Sequence, residues 1–146
     1  MPNLPKIYHT GSLVKAHPSD AAYDLSATQP GEVRRQTPLV CNTGVRLQLP
    51  DSYIGLILGR SGLAYNSVFI PNAPGLIDQG YRGELQVILS TTSDDRYYVE
   101  KGERIAQLLI LKASKFDIEQ LEEVSFDTDR GVAGLGSTGK KELVVS

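Results

Sequence analysis

Apolar and polar residues alternate one for one in parts of the chain. Val45, Leu47 and Leu49 are separated by Arg46 and Gln48, and Leu85, Val87 and Leu89 by Gln86 and Ile88. A period of two sends successive side chains to opposite faces, so both stretches predict strands with one or both faces covered. Shorter β-favouring runs predict further strands at 7–8, 37–41, 53–58, 68–70, 97–99 and 105–111. Turn-forming clusters at Pro30-Gly31, Pro50-Asp51, Asn72-Ala73-Pro74-Gly75 and Ser93-Asp94-Asp95 separate them. Many short strands at close spacing predict an all-β domain built as a jelly-roll-like barrel or sandwich. Ser61-Gly62-Leu63-Ala64-Tyr65 predicts at most one short helix, and residues 117–124 suit helix or strand equally.

Composition narrows this picture. With 146 residues, 40% of them apolar, the chain can bury one core and no more. Lys and Arg number 15 against 17 Asp and Glu, a net charge of -2, which excludes attachment to nucleic acid or an anionic membrane by bulk charge. An anionic small ligand therefore needs local donors. The single cysteine, Cys41, excludes an internal disulfide and, with no Cys/His spacing, a structural zinc. It points to a reducing compartment. No apolar run approaches the roughly 18 residues of a membrane span, so the expected location is the cytoplasm.

Past Phe126 the chain changes character. Arg130-Gly131-Val132-Ala133-Gly134-Leu135-Gly136-Ser137-Thr138-Gly139 carries four glycines and little that packs. These residues predict a division into a β domain over 1–128 and a mobile tail over 129–146. Closely spaced glycines expose backbone N–H groups, and Arg130, Ser137 and Thr138 add donors, a combination suited to wrapping phosphate. The pattern is not a Walker A loop, since no Lys precedes a Ser or Thr after the final glycine.

Five stretches, in order, carry a family resemblance. They are Ala22-Tyr23-Asp24-Leu25-Ser26-Ala27, Gly59-Arg60-Ser61-Gly62-Leu63-Ala64, Gly75-Leu76-Ile77-Asp78-Gln79-Gly80-Tyr81-Arg82-Gly83, Gly102-Glu103-Arg104-Ile105-Ala106-Gln107-Leu108, and the segment from Arg130 to Gly139. Together they resemble the five motifs of the trimeric dUTP pyrophosphatases (dUTPases). The resemblance implies a jelly-roll-like homotrimer that hydrolyses dUTP to dUMP and pyrophosphate with Mg²⁺. It implies that Asp78 is the general base for water attacking the α-phosphorus, and that Tyr81 packs on deoxyribose and excludes a 2′-hydroxyl. Asn72 and the hairpin from Leu76 and Ile77 to Gln86 then read the uracil edge. Arg60, Ser61, Gly62 and Gln107 match phosphate contacts, and Arg130, Leu135, Gly136, Ser137 and Thr138 match the closing tail. Asp24 matches an acid that supports the site and the metal-bound water, while Mg²⁺ itself is held by substrate phosphates and water rather than by protein ligands.

Two positions depart from the family pattern. Gly59 replaces the usual Pro at the start of the second motif, and Leu135 replaces the Phe or His that covers uracil, giving apolar cover without a π-face. A rival reaction, dCTP deamination on the same fold, lacks its groups here. That family carries a second Arg where Tyr65 stands and the catalytic Glu where Ile88 stands. A second rival, a regulatory module that uses the nucleotide as a switch and binds a protein partner, leaves no local motif to read.

Overall fold

The computed structural model describes residues 3–142 and Val144. The chain divides into two units, Met1–Lys115 and Phe116–Ser146. In chain order the first holds β1 (Tyr8–His9), β2 (Tyr23–Ser26), β3 (Gly31–Val33), β4 (Leu39–Asn42), β5 (Leu47–Gln48), β6 (Tyr53–Leu58), α1 (Ser61–Tyr65), β7 (Val68–Phe69), β8 (Gly75–Ile77), β9 (Gln86–Thr91), β10 (Tyr97–Val99) and β11 (Arg104–Lys112). Every pairing is antiparallel: β2-β11-β6-β8 in a four-stranded sheet, β4-β9-β7 in a three-stranded one, and the pairs β3-β10 and β1-β5. The fold is the jelly-roll-like all-β class expected from the sequence, and α1 is the one α-helix among the described residues.

One core unites the sheets. Leu25, Ile57, Ile105, Ala106 and Leu108 come from the larger sheet, Cys41, Val68, Val87 and Leu89 from the smaller, and Val33 and Val99 from β3 and β10. The alternation at 45–49 reads burial faithfully, since Val45, Leu47 and Leu49 are all buried. Only Leu47–Gln48 pairs as a strand there, because the Val45 carbonyl is taken by the Leu85 N–H at 2.8 Å instead. Three strands escaped the pattern. β2 and β3 each bury a single residue fully and β8 buries none, so none has an apolar period to detect. Residues 117–124 are neither helix nor strand, and their apolar side chains Ile118, Leu121 and Val124 are exposed in their own unit.

β11 departs from a regular strand at its start. Its register on β2 shifts between Arg104 and Ala106, where a bulge lets Ile105 and Ala106 both turn into the core. Strict alternation resumes with Gln107 outward and Leu108 inward.

Two titratable groups lie against this core. Burial, and secondarily the charge of Glu103, pushes the Cys41 thiol up to about 11, so it stays protonated and inert at neutral pH. Tyr97 donates its hydroxyl to Glu103 Oε1 at 2.7 Å, while Glu103 Oε2 is buried with no partner. Burial first, then this bond, pushes the Tyr97 phenol up to about 12. The folded chain thus holds the phenol proton more tightly than an unfolded tyrosine does. The associated stabilisation is complete below pH 10 and is lost as pH rises through about 12. Tyr97→Phe leaves the Glu103 carboxylate without its donor and is expected to cost about 1–3 kcal/mol in urea unfolding at pH 7. The mutant should also lack the part of the parent chain's alkaline loss that Tyr97 is expected to cause.

Candidate active site

The bulge in β11 places Arg104 and Gln107 on one face. Three residues apart in a regular strand, they would point to opposite sides. Asp24 on β2 and Leu58 on β6 flank Gln107 in register, so the three form a row across the sheet. All of them line a cavity of about 460 Å³ together with Arg60, Ser61 and Gly62. Gln107 Nε2 donates to the Gly59 carbonyl at 3.0 Å, which ties the loop after β6 to the sheet. Arg60 Nη1 donates to the Arg104 carbonyl at 2.9 Å. The Asp24 carboxylate sits between two guanidiniums, 3.8 Å from Arg60 Nε and 3.4 Å from Arg104 Nη1. Its side chain is only 13% exposed, so it neutralises and orients both arginines from below.

Helix α1 opens in this cavity. Arg60 is its N-cap, in extended conformation and with no side-chain cap bond, and Ser61 is exposed as the first helical residue rather than acting as the cap. The first N–H groups of the helix are thereby left to the cavity. Two guanidiniums, a hydroxyl, an amide and backbone N–H groups make a site for a polyanion. Among the described residues no cluster of three or more His, Cys, Asp or Glu could hold a metal ion.

A second cavity, about 310 Å³, lies on the segment from β8 to β9, which is not the hairpin expected from the sequence, because β8 pairs with β6 and β9 with β4 and β7 in a different sheet. Leu76, Ile77, Asp78, Tyr81, Glu84 and Gln86 line it, with Val40, Leu85 and Ile88 as apolar walls. The turn after β8 closes with Tyr81 N–H on the Asp78 carbonyl at 3.1 Å. Gln79 Oε1 accepts the Ser52 N–H at 2.9 Å and fixes this turn against the one before β6. Asp78 is exposed at the mouth. A carboxylate and an aromatic ring beside an apolar floor suit a ligand with a flat ring and a reacting centre at its edge.

A dUTPase family model matches residues 10–139. The chain belongs to the dUTPase family. It is 42% identical over 128 residues to the deoxyuridine 5'-triphosphate nucleotidohydrolase of Corynebacterium glutamicum, covering 86% of this chain and 85% of that one. The enzyme of the same name from Clostridium acetobutylicum is 38% identical over 128 residues, with 87% and 88% covered. Among solved structures, the Staphylococcus bacteriophage 80alpha dUTPase with dUpNHpp superposes with a TM-score of 0.84 at 28% identity, over 92% of this chain and 99% of that one. A mutant dUTPase from phage phi11 of S. aureus, described with a structural Mg(II) ion, shares the fold at a TM-score of 0.72 and 23% identity, over 81% of this chain and 97% of that one.

Within this dUTPase the site residues read from the sequence fall into three groups. Asp24, Arg60, Ser61, Gly62 and Gln107 gather in the first cavity, and Leu76, Ile77, Asp78, Tyr81 and Gln86 in the second. Asn72 is exposed on the loop before β8 and lines neither. Arg130, Leu135, Gly136, Ser137 and Thr138 belong to the unit Phe116–Ser146. There the chain runs in successive turns: Arg130 Nε donates to the Ala133 carbonyl at 3.0 Å, and Gly131, Gly136 and Gly139 take positive φ. Leu135 is fully exposed within that unit. Arg104 and Glu84 were missed by sequence reasoning. Arg104 stands inside the fourth motif, but its odd spacing from Gln107 hides the shared face.

The two cavities have no lining residue in common. Ile77, next to Asp78, pairs with Gly55 inside β6, and Arg60 follows the strand's C-terminal end. Five residues of extended chain separate Gly55 from Arg60, roughly 17 Å.

Proposed function

We propose that this chain hydrolyses dUTP to dUMP and pyrophosphate by attack of water on the α-phosphorus. The family membership supports the reaction, and the observation that carries the mechanism is the pair of cavities, one lined by guanidinium, hydroxyl and amide donors, the other largely apolar and carrying the Asp78 carboxylate. Asp78 accepts the proton of the attacking water, a role worth on the order of 10²–10⁴ in rate. Tyr81 covers the deoxyribose where a 2′-hydroxyl would otherwise lie. Backbone of the β8–β9 segment and Gln86 read the uracil edge, joined by Asn72 from the preceding loop; unmatched bases leave these polar groups unpaired.

Arg60, Ser61, Gly62 and Gln107 hold the phosphates. Asp24 keeps the arginines in place and is the carboxylate able to reach waters of a metal ion on the triphosphate. The donor set fits Mg²⁺, which keeps several waters and binds chiefly through substrate phosphates. When bound it supplies charge neutralisation for the departing pyrophosphate. From the tail, Arg130, Gly136, Ser137 and Thr138 close on the phosphates and Leu135 covers the base. Ile88, an apolar wall of the second cavity, offers no proton to a deamination, which favours hydrolysis over the rival reaction.

A base and the phosphate it serves must come within near-attack distance. Within one chain the base and the phosphate-binding residues line separate cavities with no residue in common. This division supports a homotrimer in which the β8–β9 segment of one copy faces the phosphate cavity of another.

Product analysis tests the reaction: dUTP with Mg²⁺ should yield dUMP and pyrophosphate. Ammonia from dCTP, or tight dUTP binding without turnover, would replace it with the deaminase or the switch reading. Asp78→Asn should bind nucleotide within a few-fold of the parent and lose about 10² or more in turnover. The shared site predicts that Asp78→Asn and Arg60→Ala chains, each inactive alone, regain activity when co-expressed. Failure of mixed assemblies to recover while each variant still folds would place the whole site within one chain. Removing residues after Asp129 should abolish most turnover, and Leu135→Phe should raise kcat/KM several-fold, since a base stack is worth about 1–3 kcal/mol. An unaltered truncated enzyme would remove the tail from the mechanism.

A further inference from the structure

Tyr81 is 46% exposed, yet its ring is not free. Its hydroxyl donates to the Glu84 carbonyl at 3.1 Å, three residues on, folding the ring back over Gly83. A Cβ added at Gly83 would lie 2.8 Å from Tyr81 Cε2 and closer still to Cζ and Oη. Gly83 does not adopt a positive φ, so the backbone tolerates a side chain here. Glycine is required at this position by the tyrosine ring, and the ring, as the end of a side chain, is what an added methyl displaces.

The residue whose carbonyl receives the hydroxyl is itself fixed from outside the β8–β9 segment. Glu84 Oε1 accepts the Gly44 N–H at 2.7 Å. On either side of this bond the turn before β5 grips the next residue: the Leu85 N–H donates to the Val45 carbonyl at 2.8 Å, and the buried Thr43 hydroxyl donates to the Leu85 carbonyl at 2.7 Å. Gly44 sits at φ +71, a conformation other residues rarely adopt, and its carbonyl accepts from Thr10 Oγ1 at 3.1 Å. The sugar-facing ring is therefore set by a chain of contacts from Gly44 through Glu84 to Tyr81.

We propose that Gly83 and Glu84 are positioning residues for sugar selectivity: Gly83 by leaving room for the Tyr81 ring, Glu84 by anchoring through Gly44 the carbonyl that pins it. The proposal rests on the reading of Tyr81 as the group that excludes a 2′-hydroxyl. It separates the two roles a carboxylate lining this cavity could have. As an anchor, Glu84 needs only an acceptor oxygen, which Gln retains; as a charged contact to substrate it would need the negative charge, which Gln lacks.

The test compares kcat/KM for dUTP and UTP in the full chain, with urea unfolding of each variant as a check on folding. Gly83→Ala and Glu84→Ala should each lower the dUTP/UTP ratio by about tenfold or more, because a displaced ring no longer blocks the ribose hydroxyl. Glu84→Gln should keep a ratio near that of the parent. If Tyr81→Ala lowers the ratio while Gly83→Ala and Glu84→Ala leave it intact, the ring needs no such support and the proposal fails, with the reading of Tyr81 standing. If Glu84→Gln falls as far as Glu84→Ala, the carboxylate acts by charge and its anchoring role is overturned. A parent enzyme that does not distinguish dUTP from UTP, or a Tyr81→Ala variant that still does, overturns both the proposal and the reading beneath it.

Discussion

Neighbouring side chains on a strand point to opposite faces, and a single extra residue inverts that order for everything beyond it. The bulge at the start of β11 uses this rule. It turns Ile105 and Ala106 together into the core and leaves Arg104 on the same outer face as Gln107. Because β11 is flanked by β2 and β6, the same register brings Asp24 and Leu58 beside Gln107. The donor-lined cavity follows from that alignment: a carboxylate between two guanidiniums, an amide holding the loop, and the start of α1 among the lining residues. Asp24 is the enclosed member of this group, and its pairing with the more exposed Arg60 and Arg104 offsets the cost of holding its charge away from solvent.

The segment between β8 and β9 works by a different principle. Its proposed chemistry sits on exposed turn residues, which are mobile unless something outside the segment restrains them. Two neighbouring turns supply the restraint, one through Ser52 and Gln79, the other through Gly44 and Glu84. In the proposed mechanism this matters because selectivity by exclusion depends on a ring that does not yield. Hydrogen bonds from neighbouring backbone give that rigidity without filling the cavity.

The tail is organised around glycine for a related reason. Gly131, Gly136 and Gly139 take positive φ, so the chain turns repeatedly and leaves backbone N–H groups at close intervals. Ordering such a segment on a ligand costs conformational entropy, more for glycine than for any other residue. In the proposed site, phosphate contacts must offset that cost, and Leu135 contributes less to it than an aromatic residue would.

Much of this was legible along the chain. The alternation at 45–49 and 85–89 and the β-rich runs gave the all-β class, because a period of two is a local property that burial of one face imposes. Glycine and proline marked the turns for the same local reason, and the short helix at Ser61–Tyr65 and the family motifs, with Asp78, Tyr81, Arg60 and Gln107, could be read from residue order alone. The strands β2, β3 and β8 could not, since they bury one residue or none and so carry no apolar period. Nor could the shared face of Arg104 and Gln107, because a bulge is defined only against the strand it opposes. The sequence by itself determined the turns, the apolar faces and the motif residues proposed to carry the chemistry. Tertiary structure alone decided that Asp24 lies between two arginines, that Tyr81 is pinned over Gly83 by way of Glu84 and Gly44, and that the motif residues divide between two cavities with no lining residue in common, for each of these is a relation between segments that the order of residues does not contain.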